Sequence, residues 1–340
     1  MKRLGGWLRG LIAVAALAAP VLAPHDAATQ FRGLLFAPPT RPRIVDASGT
    51  WRAPFVYPWR LVSRLEQRYE QDTSRPVPLR WISGGRLVQS SDEETAPLLL
   101  LGADSFGRDV CARMLYGART SLGLALVATL GALAIGMLVG GISGLSGGLL
   151  DEALMRVAEF VLVLPAIYVV LALRAALPLV LPASTIFLLM AGILALVGWP
   201  YVARGVRGIV AAEARRDYAV AARSLGAGLS RLLFRHLLPA SFGFIAVQAT
   251  LLVPAFILAE ATLSYVGLGF PDPVPSWGSM LHDASDVITI VDFPWALAPA
   301  AAIFAVVLAV NLIVQGRPAV SIPGADRRFA DGPDLSGSRV

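Results

Sequence analysis

Residues 122–143 carry no charged side chain. At 1.5 Å per residue, a helix of that length crosses a hydrocarbon core of roughly 30 Å. Backbone amides inside hydrocarbon must be satisfied within a helix or a closed barrel, so this stretch alone removes most soluble architectures. Long apolar stretches recur at 160–177, 185–202, 242–267 and 295–314, and a shorter one at 11–22 follows Lys2, Arg3 and Arg9. The expectation is an all-α polytopic membrane protein with six transmembrane helices. Composition agrees: mean hydropathy is +0.66 and 15% of the 340 residues are charged, against about 25% in soluble domains. The net charge of +6 would suggest nucleic acid in a soluble chain. Here the arginines gather at the edges of apolar runs, so the partner they indicate is the lipid bilayer, with no nucleic acid.

Charge also orients the chain. Residues 270–294 contain Asp272, Asp283, Asp286 and Asp292 without Lys or Arg and belong outside, whereas Arg204, Arg207, Arg215, Arg216, Arg223, Arg231 and Arg235 belong inside. Both termini are then cytoplasmic. The run at 11–22 reads as a retained span rather than a cleaved leader, because Pro24 follows the only candidate cleavage site, Val21-Leu22-Ala23. The expected divisions are a cytoplasmic N-terminus and first helix at 1–24, an extracytoplasmic segment at 25–118, a five-helix core at 119–316 with a cytoplasmic loop at 205–239, and a disordered tail at 317–340. Within 25–118, Trp51, Phe55, Tyr57, Trp59 and Trp81 are expected to supply a small core. Leu61, Val62, Leu65 and Tyr69 have helical spacing, and Gly84-Gly85 marks a hairpin over 79–89.

Several residues stand out inside the apolar runs. Gly136, Gly140 and Gly144 repeat every four positions and allow close approach of another helix, from this chain or another. Pro165 is expected to kink the third span. Arg174 either reaches the headgroups or faces a translocation path. Glu260 is the one acid of the fifth span, placed near its outer end where hydration or a cap would serve. The only lysine is Lys2, which excludes a G-x-x-x-x-G-K-[ST] phosphate loop, so any ATP must be hydrolysed by another polypeptide. The single cysteine, Cys111, excludes an internal disulfide. Gly144-Leu-Ser146-Gly147 matches the short G-x-S-G pattern of intramembrane serine proteases, but His25, His236 and His282 all fall outside the predicted spans.

The Arg-rich loop contains a short amphipathic helix over 218–225, with Tyr218, Ala221, Ala222 and Leu225 on one face, Asp217 as its N-cap and Gly226 just beyond it. About two turns are too few to be stable alone in water, so this helix needs a partner surface.

Ala221-Ala222, Gly226 and Leu238-Pro239 resemble the EAA loop of ABC importer permeases. Val220 stands where the family usually has Glu, and His236 where the general pattern has Ile. Residues 101–122, which include Gly102, Asp104, Gly107-Arg108-Asp109, Tyr116-Gly117 and Arg119, resemble the segment before the second span of the dipeptide, oligopeptide and nickel permeases. Glu260 to Gly269 and Pro273 to Leu281 resemble them as well, whereas the C-terminal tail lacks the family's acids. The resemblance implies the six-helix type I ABC importer permease fold. Its implied partners are a second homologous permease subunit, two cytoplasmic ATP-binding subunits that hold ATP and Mg, and an extracytoplasmic solute-binding protein. This chain would hold no cofactor and no metal and would not be an enzyme. The coupling residues implied are Glu213, Asp217, Tyr218, Ala221, Ala222, Arg223, Gly226, His236, Leu238 and Pro239. The path or gate residues considered are Arg174 and Glu260. The alternatives from residues alone are a stand-alone secondary transporter or channel, and an intramembrane hydrolase using Ser146.

Overall fold

The computed structural model describes residues 17–178 and 181–315. Residues 1–16, with the first half of the predicted first span, and the predicted disordered tail lie outside them. What is described of the first apolar run is α1 (Ala19–Leu22), ending at Ala23.

A β module comes next, a departure from the all-α expectation. Strands β1 (Arg43–Val45), β2 (Trp51–Val56), β5 (Val77–Ser83) and β6 (Arg86–Ser90) form an antiparallel sheet in the order β1-β2-β5-β6. The Gly84-Gly85 hairpin forms as expected, with Trp81 paired to Val88 and Ser83 to Arg86. β3 (Trp59–Ser63) and β4 (Arg68–Gln71) form a second hairpin where helical spacing had suggested a helix. The pairing of Leu61 with Tyr69 uses aromatic and branched residues that favour strands, while Leu65 sits exposed in the turn. Of the aromatic residues expected in the core, Phe55 and Tyr57 are buried and Trp59 is half-buried, but Trp51 and Trp81 are exposed.

Four helical stretches are long and apolar enough to cross a membrane. They are α2 (Val110–Ser146), α5 (Ala183–Glu213), the segment Leu229–Tyr265 that ends in α7 (Phe242–Tyr265), and Pro294–Leu312, which begins α10 (Ala298–Gln315). The third predicted span is instead a bent pair, α3 (Gly148–Val163) and α4 (Ala166–Ala175), at 88° to each other. Pro165 lacks the amide that would continue the ladder and forces Leu164 into an extended conformation with ψ 131°, so the chain breaks rather than kinks.

The glycine stripe finds its partner within this chain. A Cβ on Gly136 would lie 2.5 Å from Val202 Cβ, one on Gly144 2.6 Å from the Arg207 carbonyl, and one on Gly140 would strike the Ala203 carbonyl. These partners advance together, as do Gly123 with Phe187 and Gly131 with Ala195, so α2 and α5 run parallel. Parallel neighbours require the intervening α3 and α4 to carry the chain back along the bundle. By contrast, Gly198 meets Phe256 and Gly205 meets Phe244, so α7 runs antiparallel to α5. This close packing also explains why α5 continues through Pro200 to Glu213, past the end of the apolar stretch at residue 202: Trp199, Pro200, Val202 and Ala203 are all buried. The main core lies between α2, α5 and α7.

Candidate coupling site and clamp

At the bundle end opposite the β module, α5 stops at Glu213 and a tight turn leads into α6 (Asp217–Ser224). The Glu213 carboxylate accepts the Tyr218 hydroxyl at 2.7 Å and pairs with Arg216 at 3.1 Å, which fixes the turn. Burial and Glu213 raise the Tyr218 phenol above its ordinary pKa. Asp217 is the first helical residue rather than the N-cap; Arg216 occupies the cap, and Asp217 is placed where a helix N-terminus favours negative charge.

Gly226 closes α6. Its φ of +83° is the left-handed conformation that glycine adopts freely, and the amides of Gly226 and Ala227 bond back to the carbonyls of Arg223 and Ala222. The predicted apolar face divides. Ala219 is fully buried and Ala222 partly so, whereas Tyr218, Val220, Ala221, Arg223 and Leu225 point away from the chain, with Leu225 88% exposed. Ala219 joins the cluster of Leu232, Leu233 and Leu237, in a π-helical turn (Leu232–Leu237) that also carries half-buried His236. Leu238 is buried and Pro239 exposed in the 3-10 turn that follows. Leu233 and Leu238 in turn pack against Gly141 of α2. Nearby, Asp151 of α3 receives Arg207 of α5 at 2.6 and 3.1 Å and the hydroxyl of Ser143 of α2, tying three helices together.

At the other end, Arg108 precedes α2 and is nearly completely buried. Its guanidinium reaches Asp104 at 2.7 Å, Asp272 at 2.8 Å and Asp283 at 3.1 Å. Burial works against its charge, but Asp104 and Asp272 raise its pKa above the ordinary arginine value. Arg113 lies beside it, 3.4 Å from Asp104 and 3.6 Å from Asp283. Burial pushes the Asp283 carboxyl up, against the pull of Arg113 and Arg108, so acidification discharges this arm at a higher pH than it would an ordinary aspartate. His25 bonds Asp109 at 2.9 Å, and Asp109 caps α2 by accepting the Cys111 amide. Sequence reasoning did not assemble this clamp. The available signal was charge complementarity between the arginines of 101–113 and the Arg-free acidic stretch 270–294.

Glu260 departs from the expectation of a hydrated or capping acid, since it is fully buried. Its carboxyl accepts Ser121 of α2 at 2.9 Å and Ser264 at 2.7 Å. Ser121 also accepts the amide of Trp277, at the start of the short helix α8 (Trp277–Asp283). α8 opens on a capping box between Ser276 and Ser279 and sits tightly enough that a Cβ on Gly278 would lie 2.6 Å from Ala261 Cα. Glu260 therefore joins α2, α7 and α8. Glu260→Gln keeps the bulk and an acceptor and should melt close to the native protein. Glu260→Ala strands the buried hydroxyls, at about 1–3 kcal/mol. Equal melting of the two variants in detergent would refute this bonding role.

Arg174 lies near the end of α4 with its side chain buried, and its Nε and Nη1 have no hydrogen-bond partner among the described residues. Among the described residues no other candidate bonds to those two nitrogens. Ser146 is the exposed last residue of α2. None of the three histidines bonds to it among the described residues; His25 is held by Asp109 and His282 by the Tyr265 carbonyl. The hydrolase reading has no base here.

Residues 121–317, more than half of the chain, match the family described as the binding-protein-dependent transport system inner membrane component. The chain belongs to that family. It is a multi-pass inner-membrane permease component and not itself catalytic. Among curated relatives, the oligopeptide transport system permease protein of Bacillus subtilis is 40% identical over 216 residues, 63% of this chain and 68% of that protein. The di/tripeptide transport system permease protein of Pseudomonas aeruginosa is 32% identical over 314 residues, 92% of this chain and 85% of that protein. A putative peptide permease protein of Brucella ovis is 39% identical over 216 residues, 63% of this chain and 70% of that protein.

Proposed function

We propose that this permease carries peptides inward, as one of two homologous membrane subunits served by two cytoplasmic ATP-binding subunits and an extracytoplasmic solute-binding protein. The peptide reading is supported by the relatives' names, and the match to the Pseudomonas aeruginosa protein extends over 92% of this chain. ATP and Mg belong to the ATP-binding subunits, since Lys2 is the only lysine here. The N- and C-termini are cytoplasmic, on the charge asymmetry of the loops.

The observation that carries the mechanism is the two-sided character of α6. Ala219 anchors it to the π turn, while Val220, Ala221 and Leu225, with the ring of Tyr218, form an outer face left open among the described residues. We assign that face to an ATP-binding subunit. With Glu213 committed to Tyr218 and Arg216, Asp217 is the acid left to meet the partner where Val220 replaces the family Glu. Movement of the ATP-binding subunit would pass from α6 through the π turn to α2 and α5, and the bundle would alternate between outward and inward access. Coupling requires only that the partner bind the two states with different affinity.

Gly226→Val tests this. Space around Gly226 is open, so the change acts through the backbone, where a β-branched residue at positive φ costs roughly 1–2 kcal/mol and loosens the end of α6. Membrane insertion should persist while ATP-dependent uptake of a labelled dipeptide and co-purification of the ATP-binding subunit fall together. Native uptake and co-purification would refute the docking role.

A further inference from the structure

The two exposed tryptophans of the β module lie at one end of its sheet. Val56 of β2 pairs with Val77 and Phe55 with Pro78, so lower numbers in β2 run toward higher numbers in β5. That direction places Trp51 beside the Ser83 end of β5, and Val45 of β1 pairs with Trp51 at the same end. Both hairpin turns of the sheet, Asp46 to Thr50 and Gly84-Gly85, lie there. The side chains at this end are apolar and open: Ile82 is 84% exposed, Trp51 75% and Trp81 59%, with Leu87 beside them. Ile82 also adopts a φ of +52°, a left-handed conformation in which a β-branched residue is strained. Glycine or asparagine would be easier there, so the backbone cost is borne by a large apolar side chain that is left open among the described residues.

The chain itself shows what lies next to this end. Arg86, the first residue of β6, donates from Nη1 to the Ala23 carbonyl at 3.4 Å. Ala23 is the residue at which the apolar run 11–22 and its helix α1 stop. The apolar end of the sheet is therefore tethered to the end of the apolar run that the sequence reads as the first span. Tryptophan is the residue enriched at bilayer interfaces, where an apolar ring and a polar N–H both find partners. Exposed Arg80 stands between Leu79 and Trp81, suited to lipid phosphate. We propose that Trp51, Trp81 and Ile82 seat the β module on the headgroup layer of the bilayer, making the module a membrane-resting element rather than a free-standing cap.

The test uses the complete transporter, with Ile82→Cys, Leu87→Cys or Thr73→Cys each introduced with Cys111→Ser. Thr73 is exposed in the turn between β4 and β5, at the opposite end of the sheet. Each cysteine carries an environment-sensitive fluorophore, and the complex is reconstituted in phosphatidylethanolamine and phosphatidylglycerol vesicles containing headgroup nitroxide lipid. The labels at Ile82 and Leu87 should lose most of their emission, and the label at Thr73 should not. Equal response at all three positions would overturn the proposal. So would emission at Ile82 that changes only when a soluble solute-binding protein is added, since the surface would then be a protein dock.

Discussion

Arg108→Met should loosen the segment that leads into α2 from the acidic stretch that follows α7. The substitution removes the shortest ion pairs of Asp104 and Asp283, both largely shielded from water, and leaves them only the longer contacts to Arg113 at 3.4 and 3.6 Å. Removing one partner of a buried ion pair costs about 3–5 kcal/mol, because the remaining charge stays desolvated. The Asp272 arm contributes less, since that side chain is 60% exposed. Thermal unfolding of the purified complex should shift down, and protease should gain access near Gln30, which bridges Arg108. Arg108→Lys should rescue only part of the loss, because one ammonium cannot direct donors to three carboxylates as the planar guanidinium does. A melting profile for Arg108→Met equal to that of the native protein would show that the clamp contributes nothing to stability.

Gly140→Leu should abolish accumulation of the protein in the membrane. At this position even a methyl group meets the Ala203 carbonyl, which is backbone and cannot rotate away. The helices α2 and α5 would have to part along the glycine stripe, losing packing from Gly136 to Gly144. Overpacking of this kind typically costs 1–3 kcal/mol where side chains can give, and more where they cannot. Gly192→Ala, in the same bundle but with open space around it, should leave the amount of inserted protein unchanged or raise it slightly. Equal membrane levels of Gly140→Leu and Gly192→Ala would refute the close approach.

Four of the six predicted spans were legible as long apolar helices because lipid imposes one length and one backbone solution on them. The short helix α6 was legible for a different reason: Asp217 and Gly226 bracket it with opposite terminal preferences, even though Asp217 proved to be the first helical residue. What stayed hidden depended on packing. Leu61, Val62, Leu65 and Tyr69 match a helical period by coincidence, and only the pairing of β3 with β4 decides the matter. Pro165 signals a disturbance, but its size is set by the extended Leu164. Pro200 signals the same disturbance and α5 runs through it, held by α2. Glu260 looked like an acid near water; its burial depends on α8 folding back over it, which no local pattern announces.

The Arg108 clamp also has a consequence for biosynthesis. Asp272 and Asp283 follow Arg108 by 164 and 175 residues, so at about 5–20 residues per second the ribosome delivers them roughly 8–35 s after the arginine. During that interval Asp104, four residues before Arg108, is the one clamp carboxylate already synthesised. The β module can be complete by then, but the segment before α2 must wait for the loop that precedes the last span to reach the same side of the membrane. Closure of the clamp is therefore a late assembly event, and a chain truncated before Asp272 would hold Arg108 with Asp104 as its one clamp carboxylate.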